Sequence, residues 1–526
     1  MTTAGAPPAA GGWMKLRRWA LIALAVLPFQ LILLQHLSDG PEATGFLQYD
    51  SPYYVANGRA VFERGNGFAG PNPYDPSPAA PAIYFQWLTW LFGFAVKVLG
   101  MDPGVVFVVV GLLATFVGGE LTLQLVETML PEARWRRTLF LLTTWGGGLL
   151  CVAAMGANLV SGRPAAWDLF RFDPGHGWWF LNWGRNFVLP TEAVYHALSA
   201  ATWLGVLRRR WGVALGAAGA LALTHPFSGV EQLLILLAWC GVCAVRERTP
   251  ASLGRAAIVA AMLALFGGYY FWFLNRFPSH RALVSGWSAV WDFSTVSLVF
   301  ASGLVAVPAV ARLVRLRGRS GEREGFLLVA FVVALLLMKH DWFIAARQPV
   351  HFARGYNWLP LWLIGLPEVR RWIDGAIAIP RRGWAAAAIG AGALLLVSDN
   401  ALFLASDLRN GEAGRVLLTA NQREMLAWID HAQLRGVLLC ADPRLSYLSA
   451  TYTGLRPYYG HLENTPDVHE RWRRVAAWQR QGVAGPWLET IDYILLYRGT
   501  PPVNFDRSHW RELHGNGGYV ILGRSR

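Results

Sequence analysis

Acidic residues are scarce in this chain of 526 residues: 33 Asp and Glu stand against 47 Lys and Arg, and charged residues make up only 15%. With 54% hydrophobic residues and 26 tryptophans, the balance is more apolar than the core of a soluble protein of this length requires. Cysteine is nearly absent. Cys151, Cys240 and Cys243 lie in apolar runs and Cys440 stands alone, so neither a disulfide framework nor a cysteine metal site is expected, and the Cys240/Cys243 pair is read as packing. No glycine-rich phosphate loop joins a strand to a helix, so no nucleotide-sugar site is expected. No internal repeat is visible, which argues against transporters built from inverted halves. No small-residue cleavage site follows the first apolar run, Trp19 to Leu37, which comes after Lys15, Arg17 and Arg18; it reads as a retained helix.

The net charge of +14 does not point to nucleic acid, because the basic residues crowd into short links between apolar runs. Such links read as cytoplasmic loops. The runs lie near residues 19–37, 104–126, 139–160, 190–207, 211–227, 229–245, 256–275, 294–311, 325–338, 355–369 and 384–398, eleven expected spans of roughly membrane length. With the N-terminus cytoplasmic, an odd number leaves the chain after 398 outside and the links at 132–137, 208–210, 246–255, 312–323 and 370–382 inside. Residues 82–100 are long enough to cross but would break this parity. Their aromatics, with Lys97 reaching water, suit a segment lying in the interface. Gly146 to Gly148 are expected to allow close helix packing. From 399 onward, GVLLCAD, DYILLYRG and YVILGRS read as strands between helical stretches such as NQREMLAWIDHAQ, giving a small α/β domain at 399–526.

Three outer loops, 38–81, 161–189 and 339–354, are longer than helix connections require and rich in functional side chains. The first carries Asp50, Tyr53 and Tyr54, the second Asp168, Asp173, His176 and Arg185, and the third Arg347, His351 and Arg354. A carboxylate can deprotonate an attacking hydroxyl while aromatic faces stack on pyranose rings, and a guanidinium offers a fork of donors to phosphate. Together they describe a site joining a lipid phosphate to a sugar. Plainer roles stand beside these: Asp50 as the cap of a helix starting near Pro52, Asp168 and Asp173 in turns or caps, Arg347 and Arg354 as interface anchors. Glu120, His196, His225 and Glu231 interrupt apolar runs, where ionisable groups face the bundle interior or a watery cavity. His225, followed by Pro226, marks a helix end and is a candidate for touching substrate.

Three stretches carry a family resemblance: QYDSPYY after a single helix, PAIYFQWLTWLFG, and SYLSATYTGLRPYYGHLENTPD. In them the chain resembles the GT-C superfamily of membrane glycosyltransferases, which includes protein O-mannosyltransferases, aminoarabinose transferases and oligosaccharyltransferases. The resemblance implies an α-helical polytopic membrane protein of about eleven transmembrane helices, residues 1–398, with an extracytoplasmic α/β domain at 399–526. It implies a glycosyltransferase of the inner or plasma membrane, taking a sugar from a polyprenyl-phosphate donor to a glycan, lipid or protein acceptor. Asp50 would be the general base, and Arg185 and Arg354 would hold the phosphate. Many members carry a second acid beside the first, whereas Asp50 lies between Tyr49 and Ser51, so the resemblance decides neither for nor against a divalent metal. A transporter or flippase of lipid-linked sugars is the alternative from another class.

Overall fold

The computed structural model describes residues 10–525 apart from 133, 287–291, 293, 318–320, 379–381, 411–414, 501 and 504. Parts of three basic links, at 133, 318–320 and 379–381, thus lie outside the described residues. The chain forms two compact units. One comprises residues 1–34, 111–266 and 289–411, the other 35–110, 267–288 and 412–526.

Six helices among the described residues are long and apolar enough to cross a membrane: Lys15–Leu37, Pro103–Met129, Pro226–Glu247, Pro250–Arg276, Thr295–Leu316 and Gly383–Asn410. The pair Arg136–Trp145 and Leu150–Val160, bent by 55°, counts as a seventh where its two halves are taken as one broken span. The remaining expected runs form the helices Pro190–Leu207, Trp211–Ala222, Glu322–Met338 and Trp358–Ala378, which fall below that measure of length and apolarity. Trp211–Ala222 has 12 residues and Glu322–Met338 has 17, while Trp358–Ala378 carries Glu368, Arg370, Arg371 and Asp374. The chain is a multi-pass membrane protein.

In the helical unit, the ionisable groups inside apolar runs find distinct solutions. Glu120 accepts from Arg18 Nε at 2.8 Å and Nη2 at 2.6 Å, and Glu127 takes the same guanidinium at 2.6 Å, as expected where an unpaired charge is costly. The break at Gly146 to Leu149 is sealed by two residues of helix Arg382–Asn410. Asp399, fully buried, accepts from the backbone N–H groups of Gly148, Leu150 and Cys151 at 2.9, 3.1 and 2.9 Å. Asn400 donates to the Trp145 and Gly146 carbonyls at 3.1 and 3.2 Å. One side chain thus caps the start of the second half-helix, and its neighbour the end of the first. Glycine is required here: a Cβ at Gly148 would stand 2.4 Å from the Phe300 carbonyl oxygen, and one at Gly146 2.8 Å from the Trp358 ring. The domain boundary expected at 398/399 therefore falls inside a continuous helix.

The second unit is built on a five-stranded sheet of order β2-β1-β3-β5-β4, with β1 Val437–Cys440, β2 Arg456–Pro457, β3 Tyr493–Tyr497, β4 Trp510–Gly515 and β5 Tyr519–Arg524. β1 pairs parallel with β2 and β3, while β3–β5 and β5–β4 are antiparallel. The three strands expected from sequence are present. Helix Ala420–His431 opens with a capping box between Thr419 and Gln422, and Asp442 caps helix Pro443–Tyr452 through the Arg444 and Leu445 N–H groups. One sheet face packs a core that includes Ala56 and Tyr74 beside Met425, Leu448 and Ile521. Residues of the first loop are thus part of the same core as the sheet. Backbone bonds reinforce this, with Leu418 N–H donating to Glu42 O and Val416 N–H to Phe46 O.

Within residues 82–100 the helix is only Trp87–Lys97, 11 residues. At 1.5 Å per residue that is about half the hydrocarbon thickness, too short to cross. It packs on helix Ser51–Glu63 at Gly58 and Gly93, where a Cβ on either would stand 2.1 Å from a backbone oxygen of the other helix. Lys97 turns to Glu63 at 2.8 Å rather than to water. Glu63 also receives Arg59, which bridges at 2.6 Å to Asp430.

Candidate functional site

Asp50 precedes helix Ser51–Glu63 in the capping position, yet its carboxylate makes no capping bond. Pro52 in the first turn lacks an N–H, and the carboxylate is turned instead to His461, whose Nε2 lies 3.0 Å from Oδ1. The Glu463 N–H donates to His461 Nδ1 at 3.1 Å. That makes Nδ1 the acceptor, so Nε2 carries the proton and donates it to Asp50. His461 is nearly buried at 3% side-chain exposure, whereas Asp50 is 44% exposed. The result is a carboxylate held from behind with one oxygen facing outward.

A tyrosine shell fixes this pair. The rings of Tyr49 and Tyr53 lie 5.0 Å from the His461 ring, with Tyr447 at 5.6 Å and Tyr74 at 5.8 Å. Tyr49 stacks on Tyr447 at 4.8 Å, and the Tyr447 hydroxyl donates to the Tyr49 carbonyl. Tyr54 meets Tyr53 edge-on at 6.0 Å. Burial pushes the Tyr53 phenol up to about 12 and raises those of Tyr74 and Tyr447 well above the usual tyrosine value. These hydroxyls stay protonated at neutral pH, so among this shell Asp50 is the group suited to accept a proton.

The other candidates lie in the helical unit. Arg354 donates from Nε to Glu192 at 2.8 Å and from Nη1 to the His351 carbonyl at 2.5 Å. His351 stacks on Phe227 at 4.5 Å, and its ring lies 6.0 Å from that of His225. Burial, with Arg354 adding to it, holds His351 well below the usual histidine range. His225 caps helix Pro226–Glu247, its Nδ1 accepting from the Ser228 N–H at 3.2 Å, the helix end expected from Pro226. Arg354, His351 and His225 therefore gather in one basic, aromatic cluster.

Arg185 is occupied elsewhere. Its guanidinium, fully buried, reaches Asp173 at 2.5 Å, Asn400 Oδ1 at 3.0 Å and the carbonyls of Gly177 and Asp399 at 3.0 and 3.2 Å. It also stacks on Phe403 at 4.5 Å. Every nitrogen is engaged, so no fork of donors is left for a phosphate. Asp168 and His176 sit together at 3.8 Å, both well exposed and both with positive φ. His461 went unseen in the sequence because its partner lies 411 residues away and no local spacing links them.

Among the described residues no three His, Cys, Asp or Glu side chains cluster to hold a metal. Around Asp50 the donor set is one carboxylate and one imidazole with both nitrogens engaged.

No protein-family model matches the chain, and no curated protein matches it by sequence. Solved structures do. The apo oligosaccharyltransferase of Archaeoglobus fulgidus aligns over 92% of this chain and 70% of its own, at 12% identity and a TM-score of 0.53. The arabinofuranosyltransferase AftD from Mycobacteria aligns over 96% of this chain at 16% identity and 0.50, and the match takes in 41% of AftD. ArnT from Cupriavidus metallidurans bound to undecaprenyl phosphate covers 98% of both chains at 13% identity, with a TM-score of 0.46. At these identities the likeness concerns the fold alone, which this chain shares with the oligosaccharyltransferase and AftD.

Proposed function

We propose that the protein is an inverting membrane glycosyltransferase that moves a sugar from a polyprenyl-phosphate carrier to a hydroxyl acceptor, whether glycan, lipid or protein. The reaction takes place at the extracytoplasmic face of the inner or plasma membrane. One observation carries the reading: Asp50 stands where a helix cap is expected, does not cap, and presents a carboxylate that His461 holds in place. The fold supports it, since the two neighbours with the better fit are named for transferring sugars.

In the proposed step the acceptor oxygen attacks the anomeric carbon as the bond from that carbon to the phosphate oxygen breaks. Asp50 takes the hydroxyl proton, and the polyprenyl phosphate leaves with the bonding pair. His461 orients the carboxylate through Oδ1, leaving Oδ2 for the acceptor. Tyr53 and Tyr54 provide faces for a sugar ring. Arg354, with His351 and His225 beside it, is assigned to the donor phosphate, because Nη2 makes no hydrogen bond among the described residues. Arg185 is assigned to holding loop 161–189, not to the phosphate. The exposed pair of Asp168 and His176 remains a candidate for acceptor contact.

The test is Asp50→Asn, assayed with polyprenyl-phosphate sugars in proteoliposomes. Turnover should drop by about 10² to 10⁴ while donor binding persists. Undiminished transfer would remove Asp50 from the reaction.

A further inference from the structure

The C-terminal end of helix Pro190–Leu207, helix Pro226–Glu247 and the first turn of helix Glu322–Met338 enclose a cavity of about 610 Å³ within the helical unit. Its volume falls in the range of small-molecule sites. Two features make it a place for an anion.

First, the cavity has surplus positive charge. Glu322 and Glu324 line it, but each is taken: Glu322 by Arg209, and Glu324 by Arg312 at 2.9 Å. Arg208 and Arg323 remain. Arg208 bonds to Gln124 at 2.6 Å and Thr128 at 3.4 Å, and Arg323 to the Thr128 carbonyl at 2.8 Å. Neither meets a carboxylate among the described residues.

Second, helix Glu322–Met338 starts after Gly321 with no side-chain cap, so its first N–H groups and the positive end of its dipole face this region. Trp239 lines the cavity with a ring that is 2% exposed.

Val206, Leu207 and Phe326 complete the lining, and helix Pro226–Glu247 is long and apolar enough to span, which places its basic end at headgroup depth. Free phosphate would leave these apolar walls bare. We propose that the cavity binds the phosphate of an anionic phospholipid, its glycerol and first acyl carbons lying on the apolar wall. Basic pockets between membrane helices take such headgroups. The site is separate from the residues assigned to sugar transfer.

The test uses the full-length chain in detergent, titrated with phosphatidylglycerol or phosphatidylcholine and read by native mass spectrometry. The wild type should retain phosphatidylglycerol about 25-fold more strongly, from roughly fivefold per unpaired arginine. Arg208→Ala/Arg323→Ala should retain both lipids equally, and Arg208→Lys/Arg323→Lys should keep most of the preference. Arg208→Gln/Arg323→Gln, which keeps the side-chain stems and removes both charges, should likewise retain both lipids equally and serves if the double alanine variant does not fold. Equal retention by the wild type, a preference unchanged in the alanine or glutamine variant, or displacement by inorganic phosphate at equal concentration would each overturn the proposal.

Discussion

At the scale of single residues, the Asp50–His461 pair sets the sharpest expectations. Removing the imidazole by His461→Ala frees the carboxylate to rotate without changing its chemistry, so transfer should slow by about tenfold, far less than for Asp50→Asn. A steady-state comparison of the two variants checks this; equal losses would mean that His461 does more than orient. A pH effect belongs to His351. Its folded value is depressed below the unfolded 6.5, so the unfolded chain binds the proton more readily. The stability it contributes is therefore present above about pH 6.5 and is lost as the pH falls toward the folded value. Thermal unfolding in detergent should show a lower midpoint on acidification from pH 7 to 5, and His351→Phe, which keeps the stack on Phe227, should flatten that slope.

Among elements, the broken helix at Gly146 to Leu149 depends on a side chain distant in sequence. Asp399→Ala would leave three buried N–H groups without their acceptor, at about 1–3 kcal/mol for each unsatisfied group. The protein should insert yet melt many degrees lower by a detergent thermal-shift measurement, while Asp399→Asn, which keeps one acceptor oxygen, should lose less. The crossing of Ser51–Glu63 over Trp87–Lys97 is similarly intolerant. Gly93→Val places carbon against the Gly58 carbonyl, forcing the helices apart and moving Asp50 at the head of the first. Activity should fall before stability does, measured on the same preparation.

For the whole molecule, the core beneath the sheet contains Ala56 and Tyr74, so residues 415–526 alone lack part of their own interior. Expressed as an isolated fragment, they should bind a hydrophobic dye and be cut rapidly by protease, whereas co-expression with the remainder of the chain should restore protection. A folded, resistant fragment would contradict that account.

Membrane helices, their approximate positions and three of the five strands were legible because burial in lipid or in a sheet imposes a local pattern of apolar residues. Asp50 stood out for its place beside aromatics, and His225 for the proline after it. What only the tertiary structure decided is which distant groups meet. Periodicity says which face of an element is apolar but not which partner a polar side chain will find, and hydrogen bonds such as Asp50 to His461, Arg185 to Asn400 and Asp399 to Gly148 are set by chain crossings that leave no trace in spacing. For the same reason a domain boundary drawn where composition changes, at 398/399, fell within one helix. The composition of a helix shifts where its neighbours change, and its backbone hydrogen bonds continue regardless.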